Sequence, residues 1–177
     1  LEGKLIKDYR PRYNVAFRDD KRFLLVKIQP SEPWPRFVLT RMKKDDGARY
    51  FGPFAHSGAL RATISWLNRK FGLRACRPLN PGENDYKRCN ADIIRNCSAP
   101  CILRITRDAY LSRIDDACQV LEGKGRREIF ADLEADMGKA AERLDFEKAA
   151  LLRDVLDNLR KTLNPTRQFT RGRGVPT

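Results

Sequence analysis

The chain has 177 residues, with 36 Lys and Arg against 23 Asp and Glu and a net charge of +13. That length allows one ordinary core or two small ones. No apolar run approaches the roughly 18 residues of a membrane-spanning helix and no secretory leader is evident, which predicts a cytoplasmic protein with reduced thiols and no membrane partner. The basic charge is uneven: residues 1–75 carry 17 Lys/Arg against 7 Asp/Glu, whereas residues 121–161 carry 9 against 10. Such a distribution suits a polyanion bound through counterion release, or a solvated basic face.

In chain order, Leu1 to Lys7 starts inside an amphipathic helical pattern with no N-cap before it, which predicts a piece of a longer protein, and Pro11 ends that helix. Phe23 to Ile28 and Arg36 to Arg41 read as two short strands, separated by Pro30, Pro33 and Pro35. Two strands are marginal in water, so an N-terminal portion of the molecule is expected to complete their sheet. Asp45-Asp46-Gly47 supplies a turn. Ser57 is placed to cap a helix with Leu60, Ile64, Leu67 and Phe71 on one face, and Gly72 to close it. His56, the single histidine, reads as a solvent-facing turn residue, and Tyr50, Phe51, Phe54 and Trp66 as packing residues rather than base-stacking ones.

Cys76, Cys89, Cys97 and Cys101 fall within 26 residues in the pattern C-x12-C-x7-C-x3-C. In a reducing compartment four clustered thiolates usually hold zinc or an iron-sulfur cluster. Structural zinc modules more often carry two tight knuckles, and only one is present here. Wide, irregular spacing suits the larger iron-sulfur cluster, with Zn2+ as the alternative. The loop from Pro78 to Arg88 is polar and aperiodic, so ligation is expected to organise it. Thr106 is placed to cap the next helix, whose face of Tyr110, Ile114, Cys118 and Leu121 makes Cys118 a core thiol and not a ligand.

Beyond Arg127 two apolar stripes follow, one from Ile129 through Leu133, Met137 and Ala140 to Leu144, the other from Ala149 through Leu152, Val155 and Leu156 to Leu159. Asp145 caps the second helix, and an αα-hairpin results. The hairpin is too small to bury both stripes, so a partner hairpin is expected to cover one, the alternative being packing on this chain's own core. Thr166 to Thr177, with three Arg and no acid, reads as a flexible linker. The fold class expected is α+β: a small N-terminal α/β remnant with a short antiparallel sheet, a cysteine-rich metal-binding region and a C-terminal αα-hairpin.

Several motifs occur together: Leu1-Glu2, Arg12-Tyr13-Asn14, Arg18-Asp19-Asp20-Lys21, Tyr50-Phe51-Gly52-Pro53-Phe54, the four cysteines ending in Cys97-Ser98-Ala99-Pro100-Cys101, Leu121-Glu122-Gly123-Lys124, and Ala140 to Ala150. In this order and spacing they resemble the UvrC family, the bacterial nucleotide-excision-repair nucleases of the excinuclease ABC system. The resemblance covers essentially the whole chain. It implies that residues 1–20 end a GIY-YIG nuclease domain, 21–75 connect, 76–105 form the cysteine-rich region, 106–126 a helix, 127–161 the UVR hairpin and 162–177 a linker. It further implies a 4Fe-4S cluster on the four cysteines. Glu2 would be the ligand of the nuclease domain's Mg2+ or Mn2+, and Asn14 the residue that helps order that site. Docking of the UvrB subunit would use Leu144, Phe146, Glu147, Ala150 and Arg153, with Phe146 as anchor.

For the whole protein the resemblance implies a cytoplasmic, SOS-linked DNA endonuclease that acts on damaged double-stranded DNA. The GIY-YIG strand pair and an RNase H-like domain are missing from these residues, so this stretch is not expected to cut DNA alone. Two rivals are a zinc-binding UVR-type adaptor that regulates a protein-arginine kinase and a Clp protease, and a general nucleic-acid-binding module. Adaptors normally use paired C-x2-C knuckles and lack the Arg12-Tyr13-Asn14 and Tyr50 to Phe54 segments.

Overall fold

The computed structural model describes residues 23–163. The expected first helix, Glu2, Asn14 and the tail from Asn164 lie outside the described residues. Strands β1 (Leu24–Ile28), β2 (Val38–Thr40) and β3 (Arg49–Phe54) form an antiparallel sheet in the order β2-β1-β3. Leu24, Val26 and Ile28 alternate inward along β1, the period-two burial of a strand with one face on a core. The third strand is supplied by the Tyr-Phe-Gly-Pro-Phe segment, which pairs Val26 with Phe51 and Ile28 with Arg49. The expectation that an N-terminal portion completes the sheet is therefore corrected. Gly52, at φ +110° before a cis Pro53, hides the strand pattern in the sequence.

Helix α1 (Ser57–Phe71) lays Leu60, Ile64 and Leu67 on the sheet and ends at Gly72 with φ +66°. Its N-cap is His56, with no side-chain cap bond, rather than Ser57. After two short helices, α2 (Glu83–Tyr86) and α3 (Ala91–Ile94), and a 3-10 turn at Pro100–Ile102, helix α4 (Arg107–Leu121) adds Tyr110, Ile114, Ala117 and the fully buried Cys118 to the same core. Thr106 caps α4 by accepting from the Ala109 amide. Phe51 and Phe54 are buried and His56 is exposed.

Helices α5 (Arg126–Glu142) and α6 (Phe146–Leu163) form the hairpin, with the Asp145 carboxylate accepting from the Lys148 amide at the start of α6. A second apolar cluster of Leu133, Leu156 and Leu159 joins the hairpin to Trp66 of α1. The base of the hairpin is thus covered by this chain's own α1, not by a partner hairpin. No helix among the described residues is long and apolar enough to cross a membrane.

Candidate metal centre and partner-docking tip

The cysteine region hangs from one buried cation. The Arg74 side chain is 1% exposed, and its guanidinium donates to the carbonyls of Trp34 (2.6 Å), Pro78 (2.6 Å) and Leu79 (3.1 Å) and to the Glu32 carboxylate (3.3 Å). A planar fork of donors is the group that satisfies so many acceptors at once. Arg74 therefore ties down the first residues of the Pro78 to Arg88 loop, in addition to any order that ligation would bring. On the far side of the region, the Tyr86 hydroxyl donates to Asp92 at 2.7 Å and Arg104 donates to the same carboxylate at 2.9 Å. That pairing ties α2 to the chain around the 3-10 turn.

The segment that carries Cys97 and Cys101 is wound tightly. Asn96, Ala99 and Leu103 all have left-handed backbones, with φ of +54°, +48° and +56°. Asn tolerates that conformation, but for Ala and Leu it is strained, and three such residues fall within eight positions. Ser98 clamps the segment to the end of α1, its amide and hydroxyl both donating to the Gly72 carbonyl at 2.9 and 2.8 Å. A side chain at Gly72 would press on the Asn96 carbonyl, so glycine there both closes α1 and admits this approach.

Cys76, Cys89 and Cys101 line one cavity of about 440 Å3 with Pro81, Tyr86 and Arg88, and Cys97 lies on the wall of the adjoining cleft. All four thiols are free. Burial, followed by the nearness of the other cysteines, raises the Cys97 and Cys101 thiols above their ordinary value. Two of the sulfurs also meet an N–H donor: Arg74 donates to Cys76 at 3.4 Å and the Ala91 amide to Cys89 at 3.4 Å. Such donors stabilise negative charge on sulfur. The side chains do not close on a single point: among the described residues no three His, Cys, Asp or Glu side chains converge as a group able to hold one ion.

At the far end of the hairpin the chain turns through Leu144, which has φ +59° and is 72% exposed. Phe146 and Leu151 follow, each 67% exposed. Phe146, Ala150 and Arg153 share one face of α6 by their i, i+4, i+7 spacing, and Glu147 lies beside them. The structure thus gathers the expected docking residues at one tip. Leu151 joins them, missed because its spacing also fits the core stripe. Arg74 was missed too, since nothing local distinguishes it from the other basic residues of the chain.

Residues 128–162 match the UvrB/uvrC motif, and residues 23–120 match the family described as the UvrC/Cho excinuclease, middle domain. Among curated proteins the chain is similar to the "UvrABC system protein C" of Gemmatimonas aurantiaca (41% identity, 94% of this chain and 27% of the relative). The proteins of the same name from Syntrophus aciditrophicus (40%, 96% and 27%) and Dictyoglomus thermophilum (42%, 90% and 27%) are similarly related. The chain spans about a quarter of the length of these relatives. No solved structure matches it. With a strained four-cysteine region between a sheet-and-helix core and a UVR hairpin, the chain belongs to the UvrC/Cho excinuclease middle-domain family.

Proposed function

We propose that these residues are the central portion of the incision subunit of a UvrABC-type excinuclease, and that they couple a metal-dependent DNA endonuclease domain to the UvrB subunit in nucleotide excision repair. The observation that carries this reading is the hairpin tip. Leu144, Phe146 and Leu151 are large apolar side chains left in water inside the segment that matches the UvrB/uvrC motif. A free chain gains nothing from exposing them, and Leu144 is backbone-strained as well. Both costs make sense when a partner covers the tip, and a central aromatic typically dominates a small interface. Calorimetric titration of UvrB with this chain tests the reading. Phe146→Ala should weaken binding by about 2 kcal/mol or more with unchanged helicity. Equal affinity would remove Phe146 from the anchor role.

The cysteine region is, in this reading, the seat of a 4Fe-4S cluster. Support comes from the donor set: four free, half-buried thiols, two of them facing an N–H donor, on a region held in place by Arg74 and Ser98. Four thiol donors fit the group in kind and number. Zn2+ is the lesser alternative, because structural zinc modules more often carry two tight knuckles and the C-x12-C-x7-C-x3-C pattern has one. Cys76, Cys89, Cys97 and Cys101 would hold the cluster, which when bound supplies a cross-link between the end of α1 and the chain leading into α4. Iron and sulfide in stoichiometric ratio in an anaerobic preparation would support this; one equivalent of zinc without iron would reverse it. The reading extends to a cytoplasmic GIY-YIG nuclease that acts on damaged double-stranded DNA, with Glu2 as ligand of its Mg2+ or Mn2+ and Asn14 ordering that site.

A further inference from the structure

A cleft of about 470 Å3 opens between β2, α1 and the cysteine region. Its polar wall consists of Arg61, Ser65, Asn68 and Arg69 from α1 and of Arg95, which directly follows α3. Arg61, Ser65 and Asn68 stand at i, i+4 and i+7, so one helix face supplies the wall. Arg95 faces it from the cysteine region. No carboxylate lines the cleft, and none of these three guanidinium groups is ion-paired or hydrogen-bonded among the described residues. Arg49, Arg74, Arg104, Arg153 and Arg160, by contrast, meet carboxylates. The Asn68 side-chain oxygen is buried with no hydrogen-bond partner, and the reversed amide would present its NH2 as a donor at the same place. Apolar Phe37 and Leu39 form the opposite wall.

From this geometry we infer that the cleft between α1 and the cysteine region binds the phosphodiester backbone of double-stranded DNA. Three unpaired guanidiniums from two separate elements supply cationic donors for phosphates, and charge without a base-reading pattern gives positioning contacts. Arg61 and Arg69 belong to the basic half of the chain, residues 1–75, with 17 Lys/Arg against 7 Asp/Glu. The inference rests on the reading of the chain as part of a DNA-repair enzyme and deepens it by assigning the DNA-contacting residues.

The experiment is fluorescence anisotropy of a labelled duplex oligonucleotide with the full chain, purified anaerobically with its metal, across a salt series. In R61A/R69A/R95A the slope of log affinity against log salt should fall by about 2.7, near 0.9 per lost contact. The charge-matched K124A/R127A/K139A should keep the wild-type slope. Three results would each overturn the inference: no duplex binding by the wild-type chain, an equal fall in both triple variants, or displacement by inorganic phosphate or a mononucleotide as effective as by unlabelled duplex. UvrB capture by the same variants is read separately. It stays intact if only the DNA assignment fails, and its loss in the wild-type chain would mark failure of the docking reading instead.

Discussion

The hydroxyls of Thr63 and Thr162 meet at 3.0 Å in a buried contact between α1 and the last turn of α6, across 99 residues of sequence. This bond fixes the base of the UVR hairpin to the middle-domain core. Thr63→Val or Thr162→Val alone leaves one buried hydroxyl unpaired and should cost about 1–3 kcal/mol, whereas the double valine variant should recover much of that loss. Urea unfolding of the four proteins measures the coupling. Additive losses would show that the two hydroxyls act independently.

Removing the Arg74 guanidinium orphans the Trp34, Pro78 and Leu79 carbonyls and leaves the mostly buried Glu32 without its cation. Arg74→Met is expected to destabilise the chain by about 3–5 kcal/mol. Arg74→Lys should rescue little, because an ammonium cannot reach the same fork of acceptors. Chemical denaturation gives the size of the effect. Full rescue by lysine would mean that charge matters there and donor geometry does not.

Acid should loosen the sheet and the cysteine region together. A hydrogen bond from Lys27 holds the Asp46 carboxyl below its ordinary value, and one from the Tyr86 hydroxyl does the same for Asp92. A carboxyl with a depressed folded-state value adds stability that is complete above its unfolded value and disappears as pH falls through the folded one. The window therefore opens at about pH 4 and extends below it. Urea midpoints followed downward in pH should drop less steeply in D46N/D92N than in wild type. Parallel curves would assign the acid sensitivity to other groups.

Leu144 combines a left-handed backbone with high exposure. Leu144→Gly should leave the free hairpin as stable or stabilise it by about 1 kcal/mol, since the strain is relieved and little burial is lost, while weakening UvrB capture. Opposite signs in thermal unfolding and in binding are the expected signature. A variant that loses stability and keeps affinity would show that Leu144 serves the fold.

Local chemistry was legible in the sequence and long-range pairing was not. Gly72, Thr106 and Asp145 end or begin helices where their side chains require it, and Cys118 falls on a core face by spacing alone. The four cysteines stood out because they cluster along the chain. The third strand did not, since Gly52-Pro53 interrupts the alternation that marks a strand and its pairing with β1 is non-local. The role of Arg74 depends on Trp34, forty residues away, and no periodicity reports such a contact. The packing of α6 on α1 was one of two arrangements the apolar stripes allowed. The zinc-adaptor alternative gave way once residues 23–120 matched the excinuclease middle domain.

Hydrogen exchange of this chain with and without UvrB tests most directly whether the hairpin tip is the docking surface. New protection of backbone amides from Leu144 to Arg153, with α1 and the sheet unchanged, is the expected result. Protection elsewhere with an unchanged tip would contradict the assignment of that surface.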